Sequence, residues 1–287
     1  MPAFPHDGPV RVVLDIASGD VRIVAVPDGD RASVGLRPAD PAKKGDVQAA
    51  ERAEVSFADG VLRVSSAGTW RSAAIFGGGS QHVDIEIEVP AGSRVQGATR
   101  WGFFETEGEL GTVDVRSSGG NLRIDRADGL TLHAAAGEIA IGRATGRIAL
   151  SSAAGTIRAR ELAGEATVKN ANGQTSIGRS DGDLTVNGAH AAVEILRARG
   201  RVTAKTASGS ITVERADGGQ LRLETSYGSI GVGVAAGTPT WLDIASEHGQ
   251  VRSSLEAADQ PAADEAEPLE IRARSTWGDV RIHRADD

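Results

Sequence analysis

The sequence predicts an all-β protein, a two-faced parallel β-solenoid with 18-residue coils and a β-rich N-terminal region. Three observations carry this. A Gly-x-apolar-x-apolar pattern begins at Gly120, Gly137, Gly155 and Gly173, then recurs at Gly209, Gly228, Gly249 and Gly278. A second glycine stands nine residues after the first, at Gly129, Gly146, Gly164, Gly182, Gly200, Gly218 and Gly237. Between glycines, apolar residues alternate, and Ile139 and Ile141 recur nine residues on as Ile148 and Leu150.

Alternation of period two predicts strands, and glycine every nine residues marks their turns. Each coil is then two short strands and two corners. Such strands bury little alone, but stacked coils share a continuous core. A triangular hexapeptide helix also has 18-residue coils, yet it requires apolar positions every six residues, and the shift here is nine. The first-glycine steps are 17, 18 and 18, then 36, 19, 21 and 29. The double step hides one more copy, "HAAVEIL", with Ala191 where glycine is expected.

Residues 1–98 are expected to be β-rich and continuous with the solenoid repeats of 99–287. The runs "VRVVLDI", "DVRIVAV", "AEVSF", "VLRVSS" and "HVDIEIEVP" read as strands, the last alternating from Val83 to Val89. "GDVRI" occurs at 19–23 and again at 278–282, so both ends use one building unit. Glycine-rich "IFGGGS" at 75–80 predicts a flexible loop, and acidic "LEAADQPAADEAEP" at 255–268 a mobile insertion. No separate helical domain is expected.

Composition narrows the function classes. Of 287 residues 40% are hydrophobic but only 3% aromatic, so the core must be thin and filled by Val, Ile, Leu and Ala. A formal charge of −8 argues against nucleic-acid binding, which rests on clustered Lys and Arg. With no cysteine there are no disulfides, thiolate chemistry or Cys-ligated metals. The start lacks the pattern of a standard signal peptide, and no apolar run approaches the ~18 residues of a membrane span. The expectation is a soluble, cytoplasmic chain without direct membrane insertion.

The units "AAGEIAIGRATG", "ANGQTSIGRSDG" and "TASGSITVERADG", with "AHAAVEI", "VKNANG" and the ending "TWGDVRI", carry a resemblance. They are similar to the bacterial β-strand-repeat family of unknown function, whose members are often labelled candidate adhesins. The likeness covers nearly the whole chain. It implies right-handed coils, in keeping with general strand twist. Because the family has no assigned catalytic motif, it implies no catalytic or cofactor residues.

Stacking places equivalent residues of neighbouring coils roughly 4.8 Å apart. The recurring "RADG" corner therefore lines up Arg126, Arg143, Glu161, Arg179, Arg197 and Arg215. Two residues along come Asp128, Thr145, Ala163, Asp181, Arg199 and Asp217, while the alanine of the motif turns inward. Like charges at this spacing repel by on the order of 1 kcal/mol in water, which interleaved acids offset. The corner is thus a mixed-charge register device or a basic stripe for an anionic partner. The other corner lines up Ala136, Ala154, Asn172, His190, Ser208, Tyr227, His248 and Trp277. Its aromatic end suits a partner or a sugar ring, or else shields the last coils. Trp101, Phe103 and Phe104, with Trp241 and Trp277, stand where the repeats begin and end and are expected to cap them.

Other motifs dissolve into the repeat. "GVGVAAG" at 231–237 imitates a dinucleotide loop but precedes Pro239 and an alternating run, not the helix such a loop needs. The six histidines, His6, His82, His133, His190, His248 and His283, lack metal-ligand spacing. No Gly-x-Ser-x-Gly elbow occurs, and Asp84, Glu86 and Glu88 alternate on what reads as a solvent face. The reading is a non-enzymatic scaffold with a protein partner or self-association, and no cofactor or metal. Its candidate surface is Arg126, Arg143, Arg179, Arg197, Arg215, Tyr227, His248 and Trp277. The alternatives are a binder of anionic polymer or envelope glycan through the arginine corner, and a solenoid-type carbohydrate-active enzyme.

Overall fold

Alternate residues of most strands are buried, and the inward ones are chiefly Val, Ile, Leu and Ala. The computed structural model describes residues 2–66, 81–255 and 268–285. The loop expected at 75–80 and nearly all of the insertion expected at 255–268 lie outside the described residues. The chain packs as two units, Met1–Gly142 and Arg143–Asp287, which divide within one strand.

In the first unit the strands are β1 (Ala3–Pro5), β2 (Arg11–Ser18), β3 (Val21–Val26), β4 (Arg31–Pro38), β5 (Glu54–Ala58) and β6 (Val61–Ser65). They continue as β7 (Val83–Pro90), β8 (Arg94–Trp101), β9 (Phe104–Gly119) and β10 (Leu122–Ala136). Parallel ladders join β6 to β2, β2 to β8, and β8 to the end of β9, which gives one face. The other face runs from β7 through β3 to the start of β9 and then β10. The coil of β2 and β3 therefore lies inside that of β6 and β7, although it comes first in the chain. Outermost are antiparallel strands: β5 on β6, β4 on β7, and β1 on β4. A helix, α1 (Lys44–Arg52), went unforeseen; its buried Asp46 accepts a 2.8 Å hydrogen bond from the His82 N–H.

β11 (Ile139–Ala154) leads into the second unit, followed by β12 (Ile157–Asp181), β13 (Leu184–Ser208), β14 (Ile211–Tyr227) and β15 (Ile230–Val234). After these come β16 (Thr240–Ser246), β17 (Val251–Ser253), β18 (Leu269–Trp277) and β19 (Val280–Arg284). Among the described residues the ladders from β12 to β19 are parallel, and long strands such as β12 and β13 bend through corners to serve both faces. Again chain order is broken. β18 pairs with β14 on one side and β16 on the other, and β19 lies between β15 and β17. Both "GDVRI" segments thus belong to a coil threaded between two others, where its ladder hydrogen bonds are satisfied on both sides.

The corners explain the first glycine. At Gly120, with φ of 110°, an added Cβ would lie 2.0 Å from the Gly102 carbonyl oxygen. The carbonyls of this corner meet a second set of groups that the repeat analysis did not single out. Inward-facing Asn170, Thr206, Thr225, Ser275 and Ser246 stand three residues before the corner position. They donate to the carbonyls of Gly155, Ala191, Gly209, Gly228 and Gly278 at 3.2, 3.1, 3.0, 2.9 and 2.7 Å. A buried carbonyl must find a donor, and a small polar side chain at this phase supplies it.

The expected aromatic caps hold their places only in part: Trp241 lies on β16, outermost of its face, whereas Trp277 is on the internal strand β18. Phe104 is core, while Trp101, Phe103, Trp241 and Trp277 are exposed. The Trp101 coil is internal, and closing strands β1, β4 and β5 cover the end instead.

Candidate functional site

The "RADG" corner places its third-to-last residue inward as expected: Ala127, Ala144, Leu162, Ser180, Ala198 and Ala216 are all buried. The preceding arginines point out, each beside an acid. In the first unit Arg126 pairs with Glu109 at 3.9 Å and Asp125 at 3.7 Å. In the second, Arg143 lies 3.7 Å from Glu161 and Arg179 is 2.5 Å from Asp181. That hydrogen bond and charge raise the Arg179 pKa above its ordinary value. Arg179, Arg197 and Arg215 do stack in register.

Between the last two, the ladder slips. Ala198 faces Ala216, but Arg199 faces Gly218 and Gly200 faces Gly219. Asp217 is the extra residue of this bulge, so it leaves the column assigned from spacing, and Gly219 rather than Gly218 becomes the corner glycine. The displaced carboxylate bonds Arg197 and, at 3.0 Å, Arg215. Burial pushes the Asp217 pKa up, but the hydrogen bonds and charges of Arg197 and Arg215 outweigh it and hold it below the usual carboxylate range. A depressed folded pKa contributes stability that is present above the unfolded value, about 3.9, and lost as pH falls through the folded one. Asp217→Asn is expected to cost roughly 1 kcal/mol at neutral pH, with the gap from the parent closing below about pH 4. Denaturant melts at pH 7 and pH 3 check this.

The opposite corner of the second unit gathers the aromatics. Tyr227 lies directly opposite Trp277 in the β14–β18 ladder. The His248 ring stacks on that of Trp277, with centroids 3.7 Å apart and planes inclined by 8°. Its backbone N–H is fixed at 3.0 Å to the Thr276 carbonyl. The spatial order is therefore Tyr227, Trp277, His248, not chain order, because β18 is the threaded strand. Tyr227 is 62% exposed and Trp277 50%. In the second unit the structure thus sets Arg179, Arg197 and Arg215 in one column and the three rings at the other corner, while Arg126 lies in the first unit.

Grooves also mark the described surface, among them one in each unit. One, about 460 Å³, lies in the first unit over Asp20, Arg22, Arg37, Asp84, Glu86, Phe103, Glu105 and Arg123. Its ions are largely paired: Arg37 with Glu86 at 2.7 Å and Arg123 with Glu105 at 3.3 Å, while Arg22 bonds Glu107 at 2.6 Å. Asp84 is held above the usual range by burial and then by the charge of Asp20. The other, about 720 Å³, lies in the second unit beside Trp241. Among the described residues no cluster of His, Asp or Glu has the grouping of a metal site, and no helix is long and apolar enough to cross a membrane.

Parallel coils with glycine corners define a class, the strand-repeat solenoids. The chain belongs to the Toastrack DUF4097 family, whose model matches residues 58–286. No curated protein matches it. Among solved structures it is similar to a candidate lipid binding protein from Parabacteroides distasonis ATCC 8503, at 12% identity and TM-score 0.43, covering 99% of this chain and 96% of that one. A candidate adhesin from Parabacteroides merdae ATCC 43184 matches at 11% identity and TM-score 0.42, over 99% and 95%. Another, from Bacteroides fragilis NCTC 9343, matches at 12% and 0.38, over 98% and 95%.

Proposed function

We propose that the chain is a non-enzymatic interaction scaffold whose partner contact is the Tyr227–Trp277–His248 ridge. The observation that carries this is a row of three exposed aromatic residues on ladder strands, with the His248 and Trp277 rings stacked and Tyr227 opposite Trp277. Aromatic side chains are enriched at interface hot spots because they supply large contact area at small entropic cost, and a preset stack reduces that cost further. The arginine corner supports the reading less, since each of its five arginines already has an acidic partner. The partner is another protein or a second copy of this chain.

The test is quantitative affinity purification, with sedimentation for self-association, on the parent and on Tyr227→Ala/Trp277→Ala. Truncating two hot-spot rings is expected to weaken binding by a hundredfold or more, on the order of 3 kcal/mol. Both side chains face solvent, so thermal stability should hardly change. Retention of the same partners by the double variant would sink the reading, as would a monomeric parent that holds no partner.

A further inference from the structure

We infer that the groove beside Trp241 is a binding site for a neutral oligosaccharide, separate from the aromatic ridge. One row of outward side chains crosses successive coils here: Arg201 faces Gln220, Gln220 faces Glu270, and Glu270 faces Trp241. Asp183 extends the row through a 3.1 Å ion pair with Arg201.

Three features select the ligand class. First, the row consists of planar polar groups, carboxylate, guanidinium and amide, which present paired donors or acceptors to neighbouring hydroxyls. They recur at the coil spacing of roughly 4.8 Å, so the stations suit a ligand that itself repeats. Second, charge cancels along the groove. Arg201 is answered by Asp183, and Arg272 by Glu270 at 2.6 Å. An anionic polymer thus finds no net positive field, and a protein partner finds little of the apolar centre that interfaces require. Third, the row ends in an aromatic wall. Trp241 is 53% exposed, and the Arg272 guanidinium lies 5.6 Å from its ring centroid. Since Glu270 holds that guanidinium, the indole has a fixed orientation before any ligand arrives, which lowers the ordering cost of binding. A fixed indole with an open flank offers an apolar platform to the C–H face of a pyranose, while the row takes its hydroxyls.

The experiment is a calorimetric titration of the full chain with cellohexaose, N-acetylated chitohexaose and maltohexaose, with the indole N–H signals followed in parallel by NMR. Binding to at least one is expected, with Kd of about 1 mM or tighter. Trp241→Ala should weaken it at least tenfold and Gln220→Ala by about threefold to tenfold, while the Trp277 indole signal stays put in both. Gln220→Ala removes an exposed amide and so keeps the test open should Trp241→Ala disturb β16. Three results overturn the inference: no shift with any of the three sugars at about 10 mM, unaltered binding by both variants, or salt-sensitive preference for an oligogalacturonate over the neutral sugars. The ridge variant Tyr227→Ala/Trp277→Ala should bind the sugars as the parent does, so failure of either proposal is distinguishable from failure of the other.

Discussion

Gly173→Ala is expected to lower stability by roughly 4 kcal/mol, at the upper end of single-substitution effects. Two costs combine. The backbone at Gly173 has φ of 137°, which an L side chain rarely adopts. A Cβ there would also lie 2.0 Å from the Gly155 carbonyl oxygen. That oxygen cannot swing aside cheaply, because the Asn170 side-chain amide donates to it at 3.2 Å and the Gly155 N–H is tied at 2.9 Å to the Asn172 carbonyl. The melting temperature should fall by about 8–16 °C on this estimate of scale. Gly231→Ala provides the contrast. Its Cβ would touch only Thr212 Cγ2, at 3.9 Å, and it should change stability by less than about 1 kcal/mol. A Gly173→Ala loss below about 1 kcal/mol would show that the corner yields.

Ala191 looks like an objection, since it occupies the same column, in register with Gly173. It is not one. Among the described residues only Asp28 and Asp59 are non-glycines with positive φ, so Ala191 turns its corner differently and buries its methyl. The Ala191 corner, like those at Gly228, Gly249 and Gly278, is built without a left-handed residue, and at 191 alanine fits. The sequence showed the substitution; the reason for its tolerance needed the backbone.

The same division holds across the molecule. Coil length and the two faces were legible because the corners accept little but glycine and the faces bury every second residue. The inward alanines of the "RADG" corner followed from that phase alone. The polar residues three positions before five of the corners, Asn170, Thr206, Thr225, Ser246 and Ser275, share one phase, although Ala134 and Gly188 stand there in other coils. They could have been found by asking what satisfies the corner carbonyls rather than what fills the core. Coil order was beyond reach, since no local pattern distinguishes a coil that follows its predecessor from one that slips beneath it. The order Tyr227–Trp277–His248 and the row from Asp183 to Trp241 both depend on β18 lying between β14 and β16. In "RADGG", either Gly218 or Gly219 could take the corner from sequence. The ladder chooses Gly219, and Asp217 is thereby freed to bridge two arginines.

Phe104→Ala is the second large effect expected, roughly 3–5 kcal/mol. Phe104 is 2% exposed and stands between Val21 and Leu122 in adjacent ladders of the first unit. Around it the core is filled by smaller aliphatic side chains, and Phe104 is the largest fully buried side chain among the described residues. Collapse onto the cavity is resisted because the backbones on both sides are pinned by ladder hydrogen bonds, including the 2.9 Å bond from the Phe104 N–H to the Asn121 carbonyl. Unrelieved cavity volume is what pushes such substitutions toward the upper range. Phe104→Leu, which keeps most of the volume, should cost about 1–2 kcal/mol. Stability in stacked repeats is set by each coil and its neighbours. Hydrogen exchange should therefore lose protection first in β3 and the starts of β9 and β10, whereas Gly173→Ala should lose it first in β12 and β13. A Phe104→Ala loss below about 1.5 kcal/mol would mean that the two faces do close over the gap, and that this thin core is softer than its hydrogen-bonded ladders imply.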